Sequence, residues 1–305
     1  MPNWCVNQLH IDGSDSDEIL SFMTEPKPLL HRQAIRAAVK LFLAGVGGLL
    51  KPTTAMRFDL YPDLVREVGV DTAENRAFTQ FVTLLESAPV LSDDVCQTLL
   101  ALFEQSRLKQ RYWGDLPKSA RAKISPLLKN SAFDWCALYF RRIALDIAWA
   151  QLDVPTAGAL SPDCFSLNAL LPPKLLVEIN GFNGCLFPSS AKVPSGHTDN
   201  CERLGTKWEM VQVIEMDEDK LEFDTAWSPA IPPIAELARR YPNSTITHYF
   251  SECGCAFCGY VRYENGEQVE EVWDELQFSE EENEHGFHDL IFPAYITEHF
   301  NRYGG

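Results

Sequence analysis

Residues 205–230 read GTKWEMVQVIEMDEDKLEFDTAWSPA, and the patterning of this stretch decides the fold. The apolar-rich run Trp208–Met216 predicts one strand, and Asp217–Lys220 predicts a tight acidic turn. Apolar and polar side chains then alternate from 221 to 227, which is typical of a second, half-buried strand. Residues 205–230 therefore predict two consecutive strands joined by a short turn.

The segments on either side of this stretch predict further strands and helices. Residues 3–12 predict a strand, followed by a short helix to Met23 for which Ser14 or Ser16 is the expected N-cap. Residues 229–241 predict a helix that starts at its prolines and stops before Pro242. Residues 244–251 predict a strand with Ile246, His248 and Phe250 on one face.

The last predicted element of this part is a hairpin. Asn265-Gly266 is a strong hairpin signal, and it lies between the apolar runs 256–263 and 268–273. The order is then strand, helix, strand, strand, helix, strand, with one added hairpin strand. This is the split ferredoxin-like (βαββαβ) order, an α+β fold with an antiparallel sheet and two helices on one face.

A large all-helical insertion interrupts this order. Helices are predicted over 34–50, 57–69, 73–87, 92–109 and 131–152, and a strand over 165–170. We therefore predict a ferredoxin-like domain from residues 1–24 plus 161–305 and a helical insertion domain from residues 25–160. The 305-residue chain is long enough for two such domains.

Charge is distributed unevenly between these two parts. The chain carries a net charge of −17, yet residues 25–160 hold 17 Lys and Arg against 14 Asp and Glu. The rest therefore carries the whole excess of acid, which disfavours non-specific binding to phosphate backbones. The longest apolar stretch, Leu41–Leu50, is too short to span a bilayer. Without a signal peptide at the N-terminus, the nine cysteines are expected to be reduced thiols in a bacterial cytoplasm.

Several short motifs resemble the YubB-like family of plasmid- and phage-borne proteins. They are Pro2-Asn3-Trp4-Cys5, Phe165-Ser166-Leu167-Asn168 with Pro172-Pro173, Gly205-Thr206-Lys207-Trp208 and Thr225-Ala226-Trp227-Ser228-Pro229. The resemblance covers roughly residues 1–24 and 163–263. It implies a ferredoxin-like domain and a mobile-element origin, and it assigns no activity.

The tryptophan motifs have two interpretations. Trp4, Lys207, Trp208 and Trp227 can form a binding surface with indoles as anchors, or the core between sheet and helices. The core interpretation is preferred, because tryptophan is highly buried on average. An acidic surface that includes Glu215, Asp217, Glu218 and Asp219 can mimic phosphate or simply confer solubility.

Two further clusters suggest ligands. The thiols of Cys253, Cys255 and Cys258 with His248 match an incomplete zinc-ligand pattern, although small buried residues at a strand connection explain them equally well. Basic residues interleaved with aromatics suggest a surface for single-stranded nucleic acid, or a solvated helical face: Arg107, Lys109, Arg111, Trp113, Lys118, Arg121 and Lys123.

Enzyme signatures are absent from the sequence, including G-x-S-x-G, H-E-x-x-H and a complete P-loop. No cofactor is expected unless the cysteines bind zinc. We predict a non-enzymatic mobile-element protein that binds and blocks a host protein, such as a defence component, through an acidic surface. The alternatives are a nucleic-acid-binding protein that uses residues 107–129 and a zinc protein.

Overall fold

The structure is a computed structural model of the chain. It describes residues 3–25, 30–129, 144–153, 164–181, 186–187, 192–286, 288–300, 302 and 304.

A seven-stranded antiparallel sheet organises the first of two compact units. Its strands in chain order are β1 (Trp4–Gly13), β2 (Cys164–Ser166), β3 (Met210–Asp217), β4 (Lys220–Ala226), β5 (Ser244–Glu252), β6 (Phe257–Glu264) and β7 (Glu267–Glu275). They lie in the order β2-β3-β4-β1-β5-β6-β7. The four central strands, β3-β4-β1-β5, have the ferredoxin-like order, so the predicted α+β fold is confirmed.

Helices α1 (Ser16–Thr24) and α9 (Ile231–Arg240) complete the βαββαβ unit. Alternate side chains of β1, including Cys5, Leu9 and Ile11, are buried in the same core as Ile19 of α1 and Ile234 of α9. The predicted serine cap of α1 is wrong. Asp15 occupies the cap position without a side-chain cap bond, and the hydroxyl of Ser16 donates to the carbonyl of Gly13 instead.

The C-terminal tail, which follows β7, packs on sheet side chains that are not part of the core under α1 and α9. It contains the hairpin β8 (Gln277–Glu282) and β9 (His288–Ile291), followed by the short helix α10 (Ala294–Thr297). Ile296 and Phe300 pack with Val6 of β1 and Cys258 of β6 in a separate small core. Val6 alternates with the helix-facing residues of β1, so this core lies on the opposite face of the sheet from α1 and α9.

The second unit is helical. Its helices are α2 (Leu30–Val46), α3 (Ala73–Ser87), α4 (Asp93–Gln105), α5 (Lys118–Lys129), α6 (Leu145–Gln151) and α7 (Leu175–Asn180), and α8 (Gly196–Arg203) follows. The helix α2 is buried along most of its length, including Lys40, which pairs with Asp153 and lies over the ring of Trp149. None of the described helices is long and apolar enough to cross a bilayer.

Two of the helices predicted for the insertion differ from the structure. The predicted helix over 57–69 is wrong, because only residues 62–64 form a short 3₁₀ turn. Of the predicted helix over 131–152, residues 131–143 lie outside the described part, and α6 forms over Leu145–Gln151 of the remainder. The predicted strand over 165–170 is shorter, since β2 ends at Ser166 and a 3₁₀ turn follows.

The helical unit also contains the segment 172–199. One unit comprises residues 1–27, 160–171 and 200–305, and the other residues 28–159 and 172–199. The prediction placed 172–199 in the sheet domain. Leu175, Ile179 and Phe187 from this segment are instead part of the helical core.

Candidate functional site

Motif residues from distant parts of the chain meet at one end of the sheet. Trp4 begins β1 and is paired with Ala226, the last residue of β4. The next residue, Trp227, donates its backbone N–H to the carbonyl of Asn3 at 3.0 Å. The rings of Trp4 and Trp208 lie 5.7 Å apart, although 203 positions separate them in the chain.

These tryptophans lie at the surface. Trp4 is 37% exposed and Trp227 is 43% exposed. Trp208 is half-buried, and the ammonium of Lys207 lies 5.7 Å from its ring centroid. The core interpretation of these residues is therefore wrong. We call Trp4, Lys207, Trp208 and Trp227 the tryptophan rim.

Trp227 adopts a backbone conformation that is unfavourable for a bulky residue. Its φ is +72°, in the left-handed region. Neighbouring hydrogen bonds hold this turn: the hydroxyl of Thr225 donates to Ser228 O at 2.7 Å and that of Thr206 to Ala226 O at 2.9 Å. The chain thus bears a conformational cost at a position whose large indole is partly exposed, and such outliers cluster at functional sites.

A polar network positions the loop that carries Lys207 and Trp208. Asn200 Nδ2 donates to the carbonyl of Lys207 at 3.1 Å. Ser166 Oγ donates to the carboxylate of Glu209 at 3.0 Å, and Asn168 Nδ2 donates to the same carboxylate. The motif at 165–168 thus supports the rim. The sequence connected this motif to the rim only through the family resemblance.

Gly205 starts the loop with a φ of +74°. A Cβ at this position would meet the carbonyl oxygen of Pro229 and the ring of Pro232, each at 3.0 Å. A glycine is therefore required here by both the backbone conformation and the close approach of the segment after Trp227.

The predicted zinc ligands are not brought together. His248 faces the core under α1 and α9, where its Nε2 contacts Asn7 Oδ1 at 2.9 Å. Cys258 is buried in the small core on the other face of the sheet. Cys255 is exposed, and burial raises the pKa of the Cys253 and Cys258 thiols. Among the described residues, no three His, Cys, Asp or Glu side chains form a group suited to a metal ion.

The buried amide of Asn7 ties three strands to a helix. Its Nδ2 donates to Thr225 Oγ1 at 2.8 Å, and its Oδ1 accepts from the N–H of Ala230 at 3.2 Å. Burial lowers the pKa of His248 to about 3, so its imidazole is neutral. This network is enclosed by the core, and we assign it a structural role.

The predicted acidic binding residues are exposed but lie away from the rim. Glu215, Asp217, Glu218 and Asp219 surround the turn between β3 and β4. The rim is at the other end of these strands. Since β4 has seven residues, the two groups are about 20 Å apart.

The predicted basic cluster is divided in the helical unit. Arg107 lies 3.5 Å from the carboxylate of Glu74, and Arg111 donates to the carbonyl of Leu49. Trp113 packs 6.0 Å from Trp149 against the helical core, which leaves little of its face for stacking on a base. Lys109, Lys118 and Lys123 are exposed and Arg121 is half-buried.

A polar pocket of about 210 Å³ lies where α2 ends. Its lining includes Lys51, Arg66 and Lys123, with Asp63 and Glu67. Lys51 pairs with Glu67 and Arg66 with Asp63, each at 2.5 Å. The carbonyl pole of α2 and these two carboxylates oppose the binding of an anion here.

The fold and the rim define a ferredoxin-like α+β protein with a helical insertion and a surface aromatic site. Residues 27–208 match the family described as "protein of unknown function (DUF1281)", and residues 206–290 match "ferredoxin-like domain in Api92-like protein". The chain belongs to the DUF1281 family. This agrees with the resemblance to YubB-like proteins.

Relatives and a solved structure support the same assignment. The chain is 36% identical to the uncharacterized protein YubA of Escherichia coli (strain K12) over 142 residues, which cover 46% of this chain and 84% of YubA. It is 34% identical to YubB of the same strain over 147 residues, covering 46% of this chain and 99% of YubB. The crystal structure of the protein Api92 from Yersinia pseudotuberculosis superposes with a TM-score of 0.75, at 27% identity, covering 89% of this chain and 98% of Api92.

Proposed function

We propose that the chain is a non-enzymatic binding protein that uses the tryptophan rim to hold a protein partner. The observation that carries this proposal is a surface indole, Trp227, kept in a strained conformation beside the paired indoles of Trp4 and Trp208. Tryptophans of this kind are the commonest anchors of protein interfaces. The polar network behind Lys207 and Trp208 makes the surface pre-organised, which lowers the cost of binding.

The proposed partner is a protein of the bacterial host, and its binding blocks a defence component. The resemblance to plasmid- and phage-borne proteins supports this choice of partner. The net charge of −17 favours a partner with a basic surface, and the exposed acids from Glu215 to Asp219 offer a second contact.

Nucleic acid is the second candidate, and the local contacts favour it less. Trp113 is engaged with the helical core, and Arg107 has an acidic partner. The net charge of −17 also disfavours binding to a phosphate backbone.

Affinity capture from a bacterial host lysate tests the proposal. The wild-type chain is expected to retain a partner in stoichiometric amount. A variant with Trp4→Ala and Trp227→Ala should weaken the affinity for that purified partner by roughly thirtyfold or more, as for interface hot spots. Tyr112→Ala is the matched control, because Tyr112 is a 71% exposed aromatic residue of the helical unit.

A second arm separates the acidic contact from the rim. Charge reversal by Glu215→Lys with Glu218→Lys should reduce the association rate and its dependence on salt. Equal affinity of the wild type and the double tryptophan variant would refute the role of the rim. Salt-sensitive binding of an oligonucleotide that Lys118→Gln with Lys123→Gln abolishes would favour the second candidate.

A further inference from the structure

The outer edge of β7 is an exposed surface that the tryptophan rim does not use. β7 is the last strand of the seven-stranded sheet, and all nine of its residues are exposed or half-exposed. No strand in the described part of the chain pairs with this edge. The pairing of β7 with β6 is regular from Glu270 to Glu275, and a bulge interrupts it nearer the hairpin. A long open edge of this kind is a template for an additional strand.

The direction of the backbone groups along this edge follows from two contacts. Leu276 N–H donates to Ala256 O at 2.7 Å, and the carbonyl of Val272 faces Gly259 on β6. Successive residues of an antiparallel strand point their backbone groups to alternate sides. The N–H and C=O groups of Glu271, Trp273 and Glu275 therefore point away from β6.

The side chains of β7 select the chemistry of an added strand. Five acids are exposed along it: Glu267, Glu270, Glu271, Asp274 and Glu275. Between them Val269 is 53% exposed and Trp273 is 49% exposed. Cross-strand pairs of opposite charge are stabilising, and pairs of like charge are destabilising. The acids thus favour Lys or Arg on the incoming strand, and the two apolar residues provide contact area.

A second copy of the chain does not fit this edge. Antiparallel pairing of two copies of β7 centred on Glu271 would place Glu267 opposite Glu275 and Glu271 opposite itself. The next register that keeps the outward backbone groups paired would place Glu271 opposite Trp273 and Glu270 opposite Asp274. Both registers oppose like charges, which disfavours self-association.

We propose that the outer edge of β7 binds an extended, Lys- or Arg-rich segment of a partner protein as an eighth strand of the sheet. The backbone ladder provides the affinity, and the five acids select the basic sequence. This surface is independent of the tryptophan rim and does not require the function proposed for the rim.

A synthetic peptide in which Lys alternates with Val or Thr over nine residues tests the proposal by isothermal titration calorimetry. The peptide is expected to bind the wild-type chain one to one. A peptide of the same sequence that is N-methylated at alternate residues keeps every charge but cannot complete the ladder. It should bind roughly tenfold more weakly or worse, the effect of losing one or two hydrogen bonds.

Two substitutions at one position separate the backbone from the charge. Glu271→Pro removes an outward N–H, which an edge strand tolerates, and Glu271→Gln removes the charge alone. We expect about a tenfold loss of affinity for the proline variant and at most about a fivefold loss for the glutamine variant. Glu86→Gln removes the same charge from helix α3 of the helical unit and should leave the affinity unchanged.

Hydrogen exchange on the wild-type chain provides a readout that no substitution can disturb. Bound peptide should protect the amides of Glu271, Trp273 and Glu275 from exchange. In a separate titration, the double variant with Trp4→Ala and Trp227→Ala should bind the peptide with the same affinity as the wild type. The proposal is overturned if the peptide does not bind. It is also overturned if the N-methylated peptide binds equally well, or if these three amides stay unprotected in the complex.

Discussion

At the scale of single residues, Trp227 combines two features that rarely occur together. It is a large aromatic residue at positive φ, and it is partly exposed. The left-handed conformation costs an ordinary residue about 1–2 kcal/mol relative to a right-handed one. A residue selected for stability alone would be glycine, so the indole points to a role at the surface.

Comparing small residues at this position measures the strain. We expect Trp227→Gly to be more stable than Trp227→Ala by about 1 kcal/mol, because only glycine adopts φ of +72° without a penalty. Urea denaturation of both variants gives the difference. At Trp4, which lies in strand β1, the alanine variant should instead be more stable than the glycine variant. An alanine variant at 227 as stable as the glycine variant would contradict the interpretation.

The neutral His248 makes stability depend on pH. Its folded pKa is about 3 because of burial, whereas its unfolded value is near 6.5. The unfolded chain therefore binds a proton that the folded chain excludes, and stability is lost as the pH falls from 6.5 towards 3. Between pH 7 and pH 5 this single group should remove about 2 kcal/mol from the free energy of unfolding.

Urea denaturation at the two pH values, on the wild type and on His248→Leu, isolates this contribution. The variant is expected to be less stable at pH 7, since Asn7 loses a partner, but its stability should decrease less on acidification. Equal decreases in the two proteins would show that His248 does not titrate as described.

At the scale of elements, the C-terminal tail closes one face of the sheet. Arg302 donates to the buried carboxylate of Glu222 at 2.6 Å and to Asp224 at 2.8 Å. The ring of His299 packs 4.5 Å from that of His10, and burial lowers the pKa of His10 to about 4. The sequence of the tail has no strong periodic pattern of apolar residues, because its apolar contacts with the sheet come from one short helix and from single residues.

Removing the Arg302 charge should leave Glu222 buried without its partner. We expect Arg302→Met to lower the free energy of unfolding by about 2 kcal/mol, and Glu222→Gln in the same chain to restore part of the loss. A double-mutant cycle in urea measures the coupling. Arg57→Met is the control, because the Arg57–Asp59 pair is solvent-exposed and its loss should not be measurable. Identical losses in the single and double variants would contradict the pairing.

At the scale of the whole molecule, the helical unit is built from two separate stretches of the chain. The short helix α7 and the residues after it complete a core whose larger part comes from residues 34–152. The predicted boundary near 161 agrees with the observed one, and the difference is the segment 172–199, which returns to the helical unit. The segment 172–199 is irregular and rich in Pro, Gly and Asn, so its pattern did not reveal where its apolar residues are buried.

Two deletions distinguish these boundaries. A chain in which a short linker replaces 28–159 alone would expose Leu175, Ile179 and Phe187, and we expect it to aggregate. Replacing both 28–159 and 172–199 by linkers should give a soluble sheet unit, because its core is made by the other residues. Size-exclusion chromatography and circular dichroism check both chains. A monomeric, folded product from the first deletion would contradict the assignment of 172–199.

The sequence by itself determined the order of the strands and helices in the βαββαβ unit, the α+β class and the presence of a helical insertion. Each of these follows from local patterns: alternation in β4 and β5, prolines at the start of α9 and Asn-Gly at the β6–β7 turn. Only the tertiary structure decided that Trp4, Trp208 and Trp227 lie together at the surface, and that His248 and Cys258 face opposite sides of the sheet. Burial and the proximity of distant residues depend on strand pairing and packing across more than 200 positions, which no local pattern encodes.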